Sequence, residues 1–181
     1  NPNYPGHEAN FSVANGILTT NTMPEVNAYA GYSYVGGGID ASAPWFLEAR
    51  LRILETGGGT TRFGELMYFS GSHHFNVHHS TTAVRFSKPN GTYVATAIDI
   101  SQWHVVRMEG DGGGRYRAFV DGVLLDSEIP AGTHSSVGFI FQNNTANRGA
   151  HIEWDYVRFE SGPMAVPTES QTFGAVKALY R

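Results

Sequence analysis

The sequence has no cysteine. That excludes disulfide staples and any thiolate-bound zinc or iron–sulfur centre. Charge is also scarce. Lys, Arg, Asp and Glu make up 15 % of the 181 residues, against about 25 % in an average soluble protein. The net charge is −4 and no run of Lys or Arg occurs, so the footprint of a nucleic-acid binder is missing. No apolar stretch approaches the ~18 residues of a membrane-crossing helix. What the sequence has instead is glycine (22 residues) and aromatics (11 Phe, 9 Tyr, 3 Trp). A disordered chain would be poor in aromatics, so this one folds. Low charge with abundant Gly, Thr, Ser, Asn and aromatics is the profile of extracellular all-β domains. The start Asn1-Pro2-Asn3-Tyr4-Pro5-Gly6 is the kind expected after removal of a signal peptide. Secretion without cysteine favours a bacterial over a eukaryotic source.

Periodicity of two dominates. In residues 45–54 (WFLEARLRIL), Leu47, Ala49, Leu51 and Ile53 fall on one side, and Glu48, Arg50 and Arg52 on the other. One apolar and one wet face predict an antiparallel strand. Residues 63–70 (FGELMYFS) predict another, and residues 75–86 one or two more. Lys88-Pro89-Asn90-Gly91 and Asp121-Gly122 carry tight-turn chemistry. Residues 103–109, 115–120, 123–125, 137–141 and 150–159 continue the series, and residues 11–13, 16–19 and 28–35 begin it. Some ten to thirteen strands suffice for two packed sheets. Val105 and Val106 predict a strand buried on both sides, and Trp45, Trp103 and Trp154 are expected in the core.

The stretch Trp103-His104-Val105-Val106-Arg107, a Gly-rich turn, and then residues 116–125 (YRAFVDGVLL) resemble the concanavalin A-like lectin/glucanase superfamily. The likeness is strongest to its laminin G-like jelly rolls. Residues 43–50 (APWFLEAR) and 153–159 (EWDYVRF) resemble two further strands of that superfamily. The resemblance implies a two-sheet antiparallel jelly-roll sandwich over residues 10–160, after an N-terminal arm at 1–9. Residues 161–181 read as a linker and amphipathic tail, with Phe173, Val176, Leu179 and Tyr180 on one helical face. The superfamily includes glycan-binding modules, glycoside hydrolases and polysaccharide lyases, and it admits a bound calcium. Asp99, Asp111, Asp126 and the Asn143-Asn144 pair lie near turns, but no spaced acidic loop singles out a calcium site.

Catalytic chemistry is harder to find. Retaining glycosidases need two carboxylates about 5–5.5 Å apart. The laminarinase-like E-x-D-x-x-E triplet is absent, and Glu153-Trp154-Asp155 is the nearest approach. Glu48 and Glu65 look isolated. The complete alginate-lyase-like set of Arg-x-Glu, Gln-x-His and Tyr-x-Lys is absent as well, since no Tyr-x-Lys occurs. The sequence therefore points away from an enzyme. His73, His74, His78 and His79 cluster, yet strand spacing prevents one strand from chelating a metal through i and i+4. Whether this cluster holds a metal stays open.

Glycan binding needs aromatic platforms beside planar polar groups. Tyr29, Tyr32, Tyr34, Tyr68, His73, His74, Gln142 and Asn143 are the candidates. The expected function is an extracellular, non-catalytic glycan-binding or adhesion module, with a polysaccharide or glycoprotein glycan as partner. An alternative is a self-assembling subunit of an extracellular filament or surface layer. Such a homopolymer would form through Tyr4 in the N-terminal arm, or through Phe173, Val176, Leu179 and Tyr180 in the tail. A glycoside hydrolase or lyase is the second alternative.

Overall fold

The computed structural model describes residues 10–23, 29–35, 43–57, 63–70, 73–87, 92–128, 137–144 and 149–162. These residues form thirteen strands and no α-helix. In chain order they are β1 (Phe11–Ala14), β2 (Ile17–Asn21), β3 (Tyr29–Val35), β4 (Trp45–Thr56), β5 (Phe63–Ser70), β6 (His73–His79) and β7 (Ala83–Ser87). The remainder are β8 (Tyr93–Ala97), β9 (His104–Gly110), β10 (Tyr116–Val120), β11 (Val123–Glu128), β12 (Val137–Asn144) and β13 (Ala150–Ser161). One sheet has the order β1-β2-β13-β4-β9-β10-β11, the other β3-β12-β5-β6-β7-β8. All pairings are antiparallel. The protein is a two-sheet jelly-roll sandwich. Tyr4 and the tail candidates Phe173, Val176, Leu179 and Tyr180 lie outside the described residues.

The core lies between the sheets. The seven-stranded sheet supplies Leu47, Ala49, Leu51, Ile53, Val106, Met108, Ala118, Ile152 and Trp154. The six-stranded sheet supplies Phe63, Leu66, Val77, Val84 and Phe86. Each fully buried large apolar side chain contributes about 2 kcal/mol of transfer free energy. Strand β4 alternates as its sequence predicts, with one difference. Glu48 points away from the core yet is buried, because two arginines close over it.

The tryptophans divide. Trp45 and Trp154 are in the core. Trp103 is only half-buried; its ring carries the guanidinium groups of Arg50 and Arg52 at 4.9 and 4.8 Å. It therefore belongs to the outer face of the seven-stranded sheet, where cation–π contact replaces core packing. Val106 is buried, whereas Val105 is half-buried. The Asp121-Gly122 turn has φ of 50° and 79°, the positive pair that a tight hairpin needs. Asp121 also accepts the Val105 N–H at 2.9 Å, so its side chain ties the turn to β9. The turn expected at residues 88–91 lies outside the described residues, but β7 and β8 pair antiparallel on either side of it.

Candidate functional site

The two outer faces differ in chemistry. On the seven-stranded sheet, charges are matched. Glu48 accepts from Arg158 Nε and the Tyr156 hydroxyl, both at 2.9 Å, and from Arg107 at 3.3 Å. Arg107 also reaches Glu109, which pairs with Arg117 as well. Burial and the bond to Glu48 push the Tyr156 hydroxyl up to about 12. Arg50 holds Asp155 and Arg52 holds Glu153, each at 2.6 Å. The Glu153/Asp155 pair, the nearest approach to catalytic carboxylates in the sequence, is thus neutralised by two arginines. Glu48 is not isolated but the centre of this network.

The six-stranded sheet is arranged otherwise, and a bulge sets it up. Phe63 pairs with His79 and Leu66 with Val77, so Gly64 and Glu65 together oppose His78. Phe63 and Leu66 both sit in the core. Without the extra residue, Glu65 would share the side of Phe63 and enter the apolar interior. The bulge turns it to the outer face instead. Gly64 permits this with φ of 50°; a Cβ there would meet Leu51 Cδ1 at 2.5 Å.

Two rows of outer-face positions then run across the strands. One row is Gln142 (β12), Glu65 (β5), His78 (β6), Arg85 (β7) and Ala95 (β8). The other is Ile140, Met67, Asn76, Ser87 and Tyr93 on the same strands. Glu65, Asn76 and His78 are buried although they lie outside the core, at 0, 6 and 4 % exposure. Asn76 Oδ1 and Arg85 Nε are buried without a hydrogen-bond partner. Such polar burial is costly. The Arg85 guanidinium stacks on the Tyr93 ring at 4.8 Å.

The candidates named from the sequence fall on both kinds of row. Tyr32 pairs with Phe141, which pairs with core residue Leu66. Tyr34, Tyr68, His73 and Asn143 occupy alternate positions from that row. Gln142 belongs to the first outer-face row, and His74 and Tyr29 hold alternate strand positions from that row. The side chains of these eight lie outside the described residues. Sequence reasoning did not single out Asn76, Arg85 or Tyr93, named His78 only within the histidine cluster, and read Glu65 as isolated. The available signal was Gly64 inside a strand pattern, which marks a bulge.

Of the four clustered histidines, the side chains of His78 and His79 are described, and they do not act together. His78 faces outward and His79 inward, so strand alternation separates them. His79 Nδ1 donates to the Gly64 carbonyl at 3.3 Å, and burial lowers its pKa to about 4. Among the described residues, no three His, Asp or Glu side chains converge as metal ligands. Asp99 and Asp111 cap their own turns. Asp99 accepts the Ser101 hydroxyl at 2.6 Å and its N–H at 3.1 Å, which lowers the carboxyl pKa. Asp111 accepts from the N–H groups of Gly113 and Arg115.

The jelly-roll sandwich is consistent with a concanavalin A-like fold. No family model and no curated protein matches the chain. Solved structures share its fold at low identity. A carbohydrate-binding module from Bacillus subtilis is 15 % identical with a TM-score of 0.52, over 83 % of this chain and 91 % of that one. A marine alginate lyase from Zobellia galactanivorans is 8 % identical with a TM-score of 0.60, over 86 % and 81 %. A sialidase is 9 % identical with a TM-score of 0.60; the match takes in 83 % of this chain but spans only 16 % of the sialidase.

Proposed function

We propose that this chain is an extracellular, non-catalytic polysaccharide-binding module, and that the outer face of its six-stranded sheet is the binding face. One observation carries the reading. Glu65, Asn76 and His78 are buried polar groups on a sheet face that packs no core, beside Arg85 and Tyr93. Planar amide, imidazole and guanidinium groups suit the hydroxyls and acid groups of a sugar chain. On the opposite face Glu48, Glu109, Glu153 and Asp155 are each paired with an arginine. The carbohydrate-related neighbours with this fold support a polysaccharide partner.

The test is retention on a panel of immobilised polysaccharides. Asn76→Ala and His78→Ala should lose retention, while Glu153→Ala on the other sheet should keep it. Equal retention of all three variants would remove the assignment. Melting curves of each variant separate lost binding from lost folding.

One observation favours a second reading, a lyase acting on a uronate polymer. His78 sits in register between Glu65 and Arg85, with Asn76 two positions away on the same strand. β-Elimination from a uronate needs a base near the acidic C–H and donors that neutralise the carboxylate, and His with Arg and Asn supplies both. Ultraviolet absorbance of unsaturated ends, followed on alginate with purified protein, decides between the two. No absorbance gain leaves the module reading; a gain abolished by His78→Ala establishes the enzyme.

A further inference from the structure

The binding face changes in character from centre to edge. At the centre, on β5 and β6, Glu65, Asn76 and His78 are buried. At the edge, on β8, the outward residues Tyr93, Ala95 and Ala97 are exposed. Tyr93 is 56 % exposed. No other aromatic whose burial is described is as exposed. It lies in the same row as Asn76, two strands away. Two strand spacings are about 9.5 Å, too far for one sugar ring to touch both.

Three features make Tyr93 more than a stray surface aromatic. Arg85 packs its guanidinium on the ring, fixing the ring plane relative to the polar row. Next on the same face is Ala95, whose methyl leaves the space above β8 open. Val94 and Thr96 alternate inward, so register holds Tyr93 on the outer face. An aromatic ring fixed this way presents a flat apolar surface at low entropic cost.

We infer that Tyr93 is a distal sugar platform, so that a polysaccharide lies across the strands from the Asn76/His78 centre to the β8 edge and longer chains bind more tightly. This rests on the proposed binding face. Short oligomers occupy the polar centre alone; longer ones also place a ring on Tyr93. Alginate oligomers serve as the probe, a dimer and a hexamer, measured by calorimetry on the full chain. Tyr93→Ala should weaken the hexamer about five- to tenfold, the worth of one aromatic contact, and leave the dimer unchanged. Tyr93→Phe should restore the hexamer. Equal loss for both lengths, or loss for neither while His78→Ala abolishes binding, overturns the platform and spares the binding face. If the unaltered protein binds neither oligomer, platform and face fall together for this polymer class.

Discussion

His79 and Gly64 meet at the bulge, and each makes a separable prediction. His79 is neutral when folded, because burial lowers its pKa from 6.5 to about 4. Between those values the unfolded chain binds more protons than the folded one. The folded state therefore keeps its full stability above pH 6.5 and loses it as pH falls towards 4. The loss attributable to this group is about 3 kcal/mol. His79→Asn keeps a donor for the Gly64 carbonyl but does not titrate. Denaturant unfolding at several pH values should show a flatter acid limb in that variant; an unchanged limb would contradict the assignment. Gly64→Ala meets both a positive φ and Leu51, and should cost at least about 2 kcal/mol. Wild-type stability in that variant would mean that the bulge relaxes without loss.

At the scale of elements, the two outer faces carry different polar chemistry. Glu48 is nearly enclosed and serves two arginines and a tyrosine hydroxyl. Glu48→Ala takes the carboxylate from Arg158 and the Tyr156 hydroxyl in a half-buried setting, leaves Arg107 with Glu109, and should cost about 3 kcal/mol. Glu153→Ala removes a more exposed pair and should cost less than about 1 kcal/mol. Chemical denaturation of both variants checks the ratio; equal costs would show that the network does not centre on Glu48. Strand β4 was legible because its apolar positions alternate without interruption. Strand β5 was less so. Its bulge exchanges which residues face inward, and periodicity of two cannot register an inserted residue. Trp103 was placed in the core because large aromatics usually go there, but arginines from β4 offered its ring another partner.

For the whole molecule, the fold was far more legible than the site. Turn chemistry, alternation and the motif order through residues 103–125 are local signals, and the sandwich follows from them. The site is not local. Glu65, His78 and Arg85 come from three strands, and only register brings them into one row. Tyrosine residues mark candidate sugar platforms by residue type alone, and residue type does not say which rows face the core. The lack of cysteine and the low charge also gain a structural meaning. Cohesion rests on strand pairing and the apolar layer, while the few charges are concentrated on the two outer faces.

The central claim is that the six-stranded sheet presents the recognition face. Backbone amide shifts recorded while alginate hexamer is titrated into labelled protein test it most directly. The expected result is perturbation along β5, β6, β7 and β8, largest around Asn76, His78 and Arg85, with β4 and β13 unmoved. Perturbation confined to the seven-stranded sheet, around Arg50, Arg52 and Trp103, would contradict it.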